Sequence, residues 1–393
     1  MQTRTTTLLY AAALLVGTRL ADGQSLTPAV FVTNNVGDSV TSFTVLPDGT
    51  LNRVSVTPSG DGPQTVSLTP GGRFLAVANG TASTTTEELR IFAVNADATL
   101  SPRLTVLVSD SPLDAQWLND EILTVTDTSA GGANSVQAFR YDSIMNSLTM
   151  VDTEPTGSFN TRLATTRTGG LLYANNTSGT DSIFAFSATA GGALTLIENE
   201  ITDPVFAVDI AASRDGNFLY GASGISGGGN SILGFAIDGA GQLTPLAASP
   251  FVSSGVSPKV IALRGDDRVL VAGHGTDATF RTFLRDPVSG GLVATSNMFD
   301  VGLQGTLGDL QIMGDLLFVT DSSTATDGIA GLYSFRLNAD GTFNQLGPIL
   351  DTLGSRPEYI APWVGVPDPA GGVLGMLLAW SILVRERPRR WIG

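Results

Sequence analysis

No cysteine occurs in the 393 residues, so disulfides, thiolate nucleophiles and cysteine-ligated zinc are excluded. Histidine occurs once, as His274, and a single imidazole cannot build a multi-histidine metal site. Lysine also occurs once, as Lys259. Charged residues make up only 15% of the chain beside 46 glycines and 19 prolines, a balance that argues against a coiled coil or a helical bundle. Away from the two ends no stretch carries a 3.6-residue apolar period, so very little helix is predicted in the core. No His-Glu-x-x-His helix, Walker loop, nucleophile elbow or Asp-x-Asp calcium loop is present. The glycine run at 227–229 joins two strand-like segments with no helix to follow, so it does not read as a phosphate loop. What is present is a 42% hydrophobic content, ample for a core, and a net charge of −15. That acidity excludes binding of nucleic-acid phosphates through bulk charge.

Both ends carry targeting patterns. Arg4 precedes an apolar run at 8–16, and Ala21-Asp22-Gly23 supplies small residues, which predicts a secretory signal over 1–23 cleaved after Gly23. A membrane anchor is the alternative, for which the run is short. At the other end Pro367-Asp368-Pro369 is followed by an apolar stretch at 370–384 and then by Arg385, Arg387, Arg389 and Arg390. This order resembles the PEP-CTERM sorting signal of Gram-negative bacteria, with Asp368 in place of the usual glutamate. The resemblance implies transient inner-membrane anchoring, processing by an exosortase-type enzyme, and delivery to the cell surface or extracellular matrix. A plain tail anchor is the alternative. Without the segments 1–23 and 370–393 the chain keeps 15 basic and 34 acidic side chains. Such a surface favours solubility, attracts cations and repels anionic polymers at low salt.

Between the ends lies one repeated unit. Short strand-like segments end on Phe43, Phe92, Phe139, Phe186, Phe235, Phe283 and Phe335, spaced by 49, 47, 47, 49, 48 and 52 residues. A period near 50, with Asp-Gly and Gly-Gly turns, predicts a β-propeller, and seven copies predict seven blades of four antiparallel strands. The two ends supply complementary halves of one blade. Pro357-Glu358-Tyr359-Ile360 reads as an inner strand without a second, and 29–34 reads as a second strand without an inner one. Their pairing is predicted to close a single all-β domain, a monomer, over 24–365.

Phe31-Val32-Thr33-Asn34, Phe74-Leu75-Ala76-Val77-Ala78-Asn79 and Leu171-Leu172-Tyr173-Ala174-Asn175, each followed by a Ser-Val-x-x-Phe-like strand and an Asp-Gly-x-Leu-like turn, resemble the strand signature of the lactonase-like and YVTN seven-bladed propellers. The resemblance spans nearly the whole chain between the terminal segments. It implies a fold shared by lactone hydrolases and by surface-layer proteins of unassigned activity. The enzymes of this superfamily use an Arg-His pair on an inner strand, which corresponds here to Arg162-Leu163. Their glutamate after a second strand falls near Asn176 or Asn79. The chain therefore departs from the hydrolase pattern at both places.

Aligning the inner strands on their turns stacks Thr65, Asp114, Arg162, Asp209, Val260, Asp309 and Tyr359 at one level of the channel, with Lys259 and Glu358 one residue earlier. Three carboxylates around a guanidinium suit a divalent cation held by Asp114, Asp209 and Asp309, or a polyol bound by charge-assisted hydrogen bonds. They equally suit side chains that pair with one another and solvate the channel. The second-strand ends give another ring: Asn35, Asn79, Asp127, Asn176, Ser223, His274 and Asp321. His274 reads there either as a strand terminator or as a general base acting with Arg162. Trp117 and Trp363, at inner-strand ends, read as packing residues. Two functions follow: a displayed propeller that binds a ligand, polysaccharide or envelope component at its funnel without turnover and without a required cofactor, or a secreted hydrolase of a non-phosphorylated lactone. A purely structural role in an envelope or matrix is a third. Deleting residues 366–393 in an exosortase-bearing host is expected to abolish processing and surface retention. Fractionation that found location and retention unchanged would overturn the sorting reading.

Overall fold

The computed structural model describes residues 27–364, apart from 81–86, 109–110, 129–133, 158–159, 178–181, 202–206, 225–229, 303–305 and 324–328. The signal read over 1–23, the sorting segment read over 366–393 and the glycine run at 227–229 lie outside the described residues.

Runs of small, β-branched and aromatic residues bounded by Pro/Gly/Asp turns suit strands buried on both faces, and they form seven antiparallel sheets. The inner strands are Pro63–Leu68, Ser111–Trp117, Asn160–Thr165, Asp209–Ala212, Pro258–Leu263, Leu307–Met313 and Pro357–Trp363. From each inner strand the pairing runs outward strand by strand, the meander of a propeller blade. The predicted seven-bladed all-β architecture is observed, and the described residues contain no helix.

Closure takes the predicted form. Ala29–Asn34 lies between Ser39–Val45 and Pro357–Trp363 in one sheet. Ala29 faces Trp363 and Val32 faces Ile360 across the seam. The Trp363 indole donates 2.9 Å to the Gly72 carbonyl of the next blade, and its ring meets Phe31 at 6.3 Å. Trp117 and Trp363 are both buried packing residues.

The repeated phenylalanine marks one structural event. All seven are buried. In five blades the pairing of the third strand with the outer strand shifts register at this residue, at Phe43, Phe92, Phe139, Phe186 and Phe283. In the other two blades the outer strand is split, and Phe235 and Phe335 face Pro245 and Gln345 at the break. A bulge sharpens local twist, which lets the outer strand curl away while the ring fills the space between neighbouring sheets. Phe335 packs within a cluster of rings, with Phe299 at 4.8 Å, Phe280 at 5.1 Å and Phe343 at 5.8 Å between centroids. Phe335→Ala is expected to lower the unfolding free energy by about 3–5 kcal/mol, measured by urea denaturation.

Candidate functional site

The site begins with an irregularity in the inner strands. Three of them start on a proline, which has no N–H to give to a ladder. In six of the seven blades the register between inner and second strand shifts within the first few residues. The shift leaves the backbone N–H of the following residue without a ladder partner, and in four blades a side chain of the second strand takes it. The N–H groups of Asp114, Arg162, Asp309 and Tyr359 donate to Thr126 Oγ1 (2.8 Å), Asn175 Oδ1 (2.7 Å), Thr320 Oγ1 (2.7 Å) and Thr33 Oγ1 (3.0 Å). A bulge re-aims the side chain that it carries.

Three aspartates reach sideways to the next blade, Asp114 and Asp309 from bulged strands and Asp209 from the one inner strand whose pairing shows no register shift. Asp114 accepts from the Leu163 N–H at 2.7 Å, Asp209 from the Ile261 N–H at 2.8 Å, and Asp309 from the Ile360 N–H at 2.9 Å. The other Asp114 oxygen takes the Thr65 hydroxyl and the Ala115 N–H, both at 2.8 Å. The other Asp309 oxygen takes the Leu310 N–H at 2.7 Å. Each carboxylate is a clip between inner strands that diverge too far to pair.

Arg162 spans the channel. Its guanidinium donates to the Tyr359 hydroxyl at 2.5 Å and to the Leu113 carbonyl at 3.4 Å, stands 4.0 Å from Asp209, and lies 4.6 Å from the Tyr359 ring centroid. Lys259 Nζ donates to the Leu307 carbonyl at 3.2 Å. These residues line a central cavity of about 400 Å³, whose opposite end is lined by Arg214, Arg264 and Asp267.

Burial sets the protonation of the ring. It pushes Asp309 up to about 7, with the Asp209 charge adding to the rise, and Asp209 up to about 6 against the pull of Arg162. Asp114 is also raised by burial, which Arg162 partly offsets. Burial opposes the charge on Arg162, yet Tyr359, Asp114 and Asp209 together hold it above the usual arginine value. Burial lowers Lys259 and raises Tyr359. With Asp309 half protonated near pH 7, the two buried cations nearly balance the carboxylates.

The structure thus brings Asp114, Arg162, Asp209, Asp309 and Lys259 to one cavity. It does not bring Glu358 there: that carboxylate pairs with Arg356 at 2.8 Å, outside the cavity lining. Nor does it bring His274, which is fully buried at the end of Val269–His274 beneath the loop 253–257 and does not line the channel. Among the described residues no group of three His, Asp or Glu side chains is arranged to hold a metal ion. The physical reason lies in the clips, which turn the carboxylates toward neighbouring backbone rather than toward a common centre. The second-strand ring also needs one correction. Asn34, not Asn35, ends its strand at the place equivalent to Asn79 and His274, while Asn35 donates to the Pro63 carbonyl. Tyr359 was visible in the stack but not as a partner of Arg162. The supporting Thr33, Asn175 and Thr320 at penultimate strand positions, and Thr126 third from its strand end, were signalled only by their polarity where Ala78 and Gly273 stand elsewhere.

A seven-sheet ring with a polar channel whose inner strands carry charged side chains defines a funnel-type propeller, and sequence comparison narrows that class. Residues 21–117 and 192–307 match the family described as "Lactonase, 7-bladed beta-propeller". The chain belongs to this family. The matched segments include Asp114 and Asp209 but not Arg162. No curated protein matches the chain. Among solved structures it resembles a periplasmic gluconolactonase from Pseudomonas aeruginosa, at 19% identity and a TM-score of 0.69, over 86% of this chain and 99% of that one. It also resembles a candidate 6-phosphogluconolactonase from Bacteroides fragilis, at 16% identity and a TM-score of 0.71, over 87% and 99%. A protein of unknown function from Desulfotomaculum acetoxidans is similar at 17% identity and a TM-score of 0.67, over 86% and 99%. At these identities the likeness is one of fold.

The raised carboxylates make stability depend on pH with a definite sign. An aspartate in the unfolded chain releases its proton near pH 4, whereas folded Asp209 and Asp309 hold theirs to about 6 and 7. The folded state therefore binds more protons through that window, so their contribution to unfolding free energy falls as pH rises from about 4 to about 7. Asp309→Asn keeps an acceptor and removes the titration. Its denaturation midpoint is expected to vary less between pH 5 and 8 than that of the parent, and an unchanged slope would refute the assignment.

Proposed function

We propose that this lactonase-family propeller is exported and displayed at the cell surface, where its funnel binds a neutral, polyhydroxylated ligand such as a sugar lactone or a polysaccharide unit without turning it over. The observation that carries this reading is the near balance of buried charge around the cavity. At the Arg162 end Arg162 and Lys259 face three carboxylates, two of which have pKa values raised to about 6 and 7, and at the other end Arg214 and Arg264 accompany Asp267. A net ionic ligand gains little there. Hydroxyl groups can use the lone pairs left on the clipped carboxylates and the donors of Arg162 and Lys259. No histidine lines the cavity, and both Asp309 oxygens are engaged by backbone N–H groups, which fixes that carboxylate in the channel wall.

Hydrolysis is the second reading, favoured by the family and by Asp309 at about 7 in the same cavity as Arg162. In it Asp309 takes a proton from water as the hydroxide oxygen adds to the lactone carbonyl, and Arg162 stabilises the oxyanion. The ring oxygen then leaves with the proton. The two readings separate in one pair of measurements on the chain without 1–23 and 366–393: calorimetric titration with neutral sugar lactones and polyols, and acid release in a pH-stat. Binding without acid release, weakened about 10–100-fold in Arg162→Gln by loss of a charge-assisted hydrogen bond, is the expected result. Acid release lost in Asp309→Asn replaces it with the hydrolase reading. Absence of both binding and acid release across the panel overturns both.

A further inference from the structure

His274 stands where three other blades place an amide, Asn34, Asn79 and Asn176. Asn34 and Asn79 end the equivalent second strands, and each lies under a loop glycine that enters the next inner strand: Gly354 over Asn34 and Gly60 over Asn79. In the sixth blade Gly255 packs on the imidazole. A Cβ at residue 255 would meet Cδ2 at 2.5 Å and Nε2 at 2.6 Å, so only glycine fits while the ring is in place. Glycine's small size here seals the ring from water.

The seal is local and specific. His274 Nδ1 lies 3.3 Å from the Thr279 carbonyl, a bond the neutral ring makes as donor, while Nε2 has no partner of acceptable geometry. The loop 253–257 is bonded over it: the Ser253 N–H donates to the Asn230 carbonyl at 3.0 Å, the Ser257 N–H to Asn230 Oδ1 at 2.8 Å, and the Ser257 hydroxyl to the Gly224 carbonyl at 2.8 Å. The Val256 N–H donates to Asp277 at 3.2 Å, the Gly275 N–H to the Ser257 carbonyl at 2.8 Å, and the Thr276 N–H to the Val256 carbonyl at 3.4 Å. Ser254 and Ser257 hold φ near +60°, a backbone region unfavourable to non-glycine residues. The loop runs directly into Pro258 and Lys259, and Lys259 lines the channel.

We propose that His274 is a pH-sensitive latch for the rim loop 253–257, closed over the neutral ring and released when the ring takes a proton. A second, positive N–H would have only the poorly aligned Ser253 carbonyl to donate to, and hydrating it requires the loop to lift. The charged groups facing the ring are Asp277 on the connecting turn and Arg281 on Thr279–Arg285, themselves 3.8 Å apart, with Lys259 on the neighbouring inner strand beside Gly275. Burial lowers the His274 pKa; the Asp277 charge and the Thr279 and Ser253 backbone oppose that, and Arg281 adds to it. Sign follows from linkage. A folded value below the ordinary 6.5 means that the open loop binds the proton more tightly, so opening is favoured as pH falls below 6.5. This is opposite to the effect of the clip aspartates, and only a local readout separates the two.

The test uses the full chain and its single histidine. The imidazole is titrated by proton NMR, and exchange protection of the Gly275 and Thr276 amides, corrected for intrinsic rate, is followed from pH 8 to 4.5. A midpoint below 6.5, with protection falling by up to about tenfold per pH unit in that range, is expected. His274→Asn, the residue at this place in three other blades, should keep the fold and abolish this fall; His274→Gln serves if the first variant does not fold. A midpoint at or above 6.5, protection independent of pH, or an undiminished acid-dependent fall in the variant overturns the proposal.

Discussion

Neighbouring inner strands of the ring diverge from one another, and the structure depends on how that gap is bridged. Backbone hydrogen bonds hold each blade together but cannot pass between blades at the channel. The bridging is done by side chains. A bulge near the start of the inner strand releases one N–H, a threonine or asparagine of the second strand recaptures it, and the displaced residue turns its carboxylate to a backbone N–H of the next blade. An unpaired buried N–H would cost roughly 1–3 kcal/mol, and a buried charge without partners considerably more. At Asp114 and Asp309 one arrangement therefore satisfies two requirements together, while Asp209 bridges the gap from a regular strand. The consequence is a ring of ionisable groups drawn into the channel wall for structural reasons, and any ligand site there has been built from parts already needed for closure.

Fold and site were legible in the sequence to different depths for a physical reason. The blade count follows from Phe43 and its six equivalents because a bulky ring at every outer-strand kink is a packing necessity repeated once per blade. The channel stack was equally readable, since equivalent positions in repeated strands share a radial direction. What alternation along a strand does not reveal is where a bulge falls. One shifted residue decides whether Asp114 points into open channel or toward the Leu163 N–H. In the sequence the three aspartates suit a cation, a polyol or mutual pairing alike, and in the structure each is tied to the inner strand of the next blade. Glu358 shows the same limit: it lies next to a channel residue but pairs with Arg356 outward.

The lone histidine illustrates a different limit. A single imidazole in a chain of this size attracts a catalytic assignment, yet its repeat position assigns it the place of an amide under a loop. Asn34 donates to Ser39 and Thr41 beneath Gly354, with its carbonyl oxygen unpartnered, much as the His274 ring is left with one idle nitrogen. Equivalence between blades was the better guide than chemistry. Family membership agrees in fold with that reading while leaving the inner strand of Arg162 outside the matched segments.

The closing seam has a mechanical consequence. Ala29 and Trp363 face each other at the same end of one antiparallel pair, so the chain enters and leaves the ring side by side. Tension applied between the two ends would load the seam one hydrogen bond at a time, starting from the Ala29–Trp363 pair and running toward Asn34 and Pro357, as a zipper opens. Shear, which strains many bonds together, does not arise in that direction. A ring of this kind held by one end transmits no force through its seam, whereas one pulled from both ends fails there first. The Trp363 indole on Gly72, bonded across to the neighbouring blade, is the stitch placed where that failure would begin.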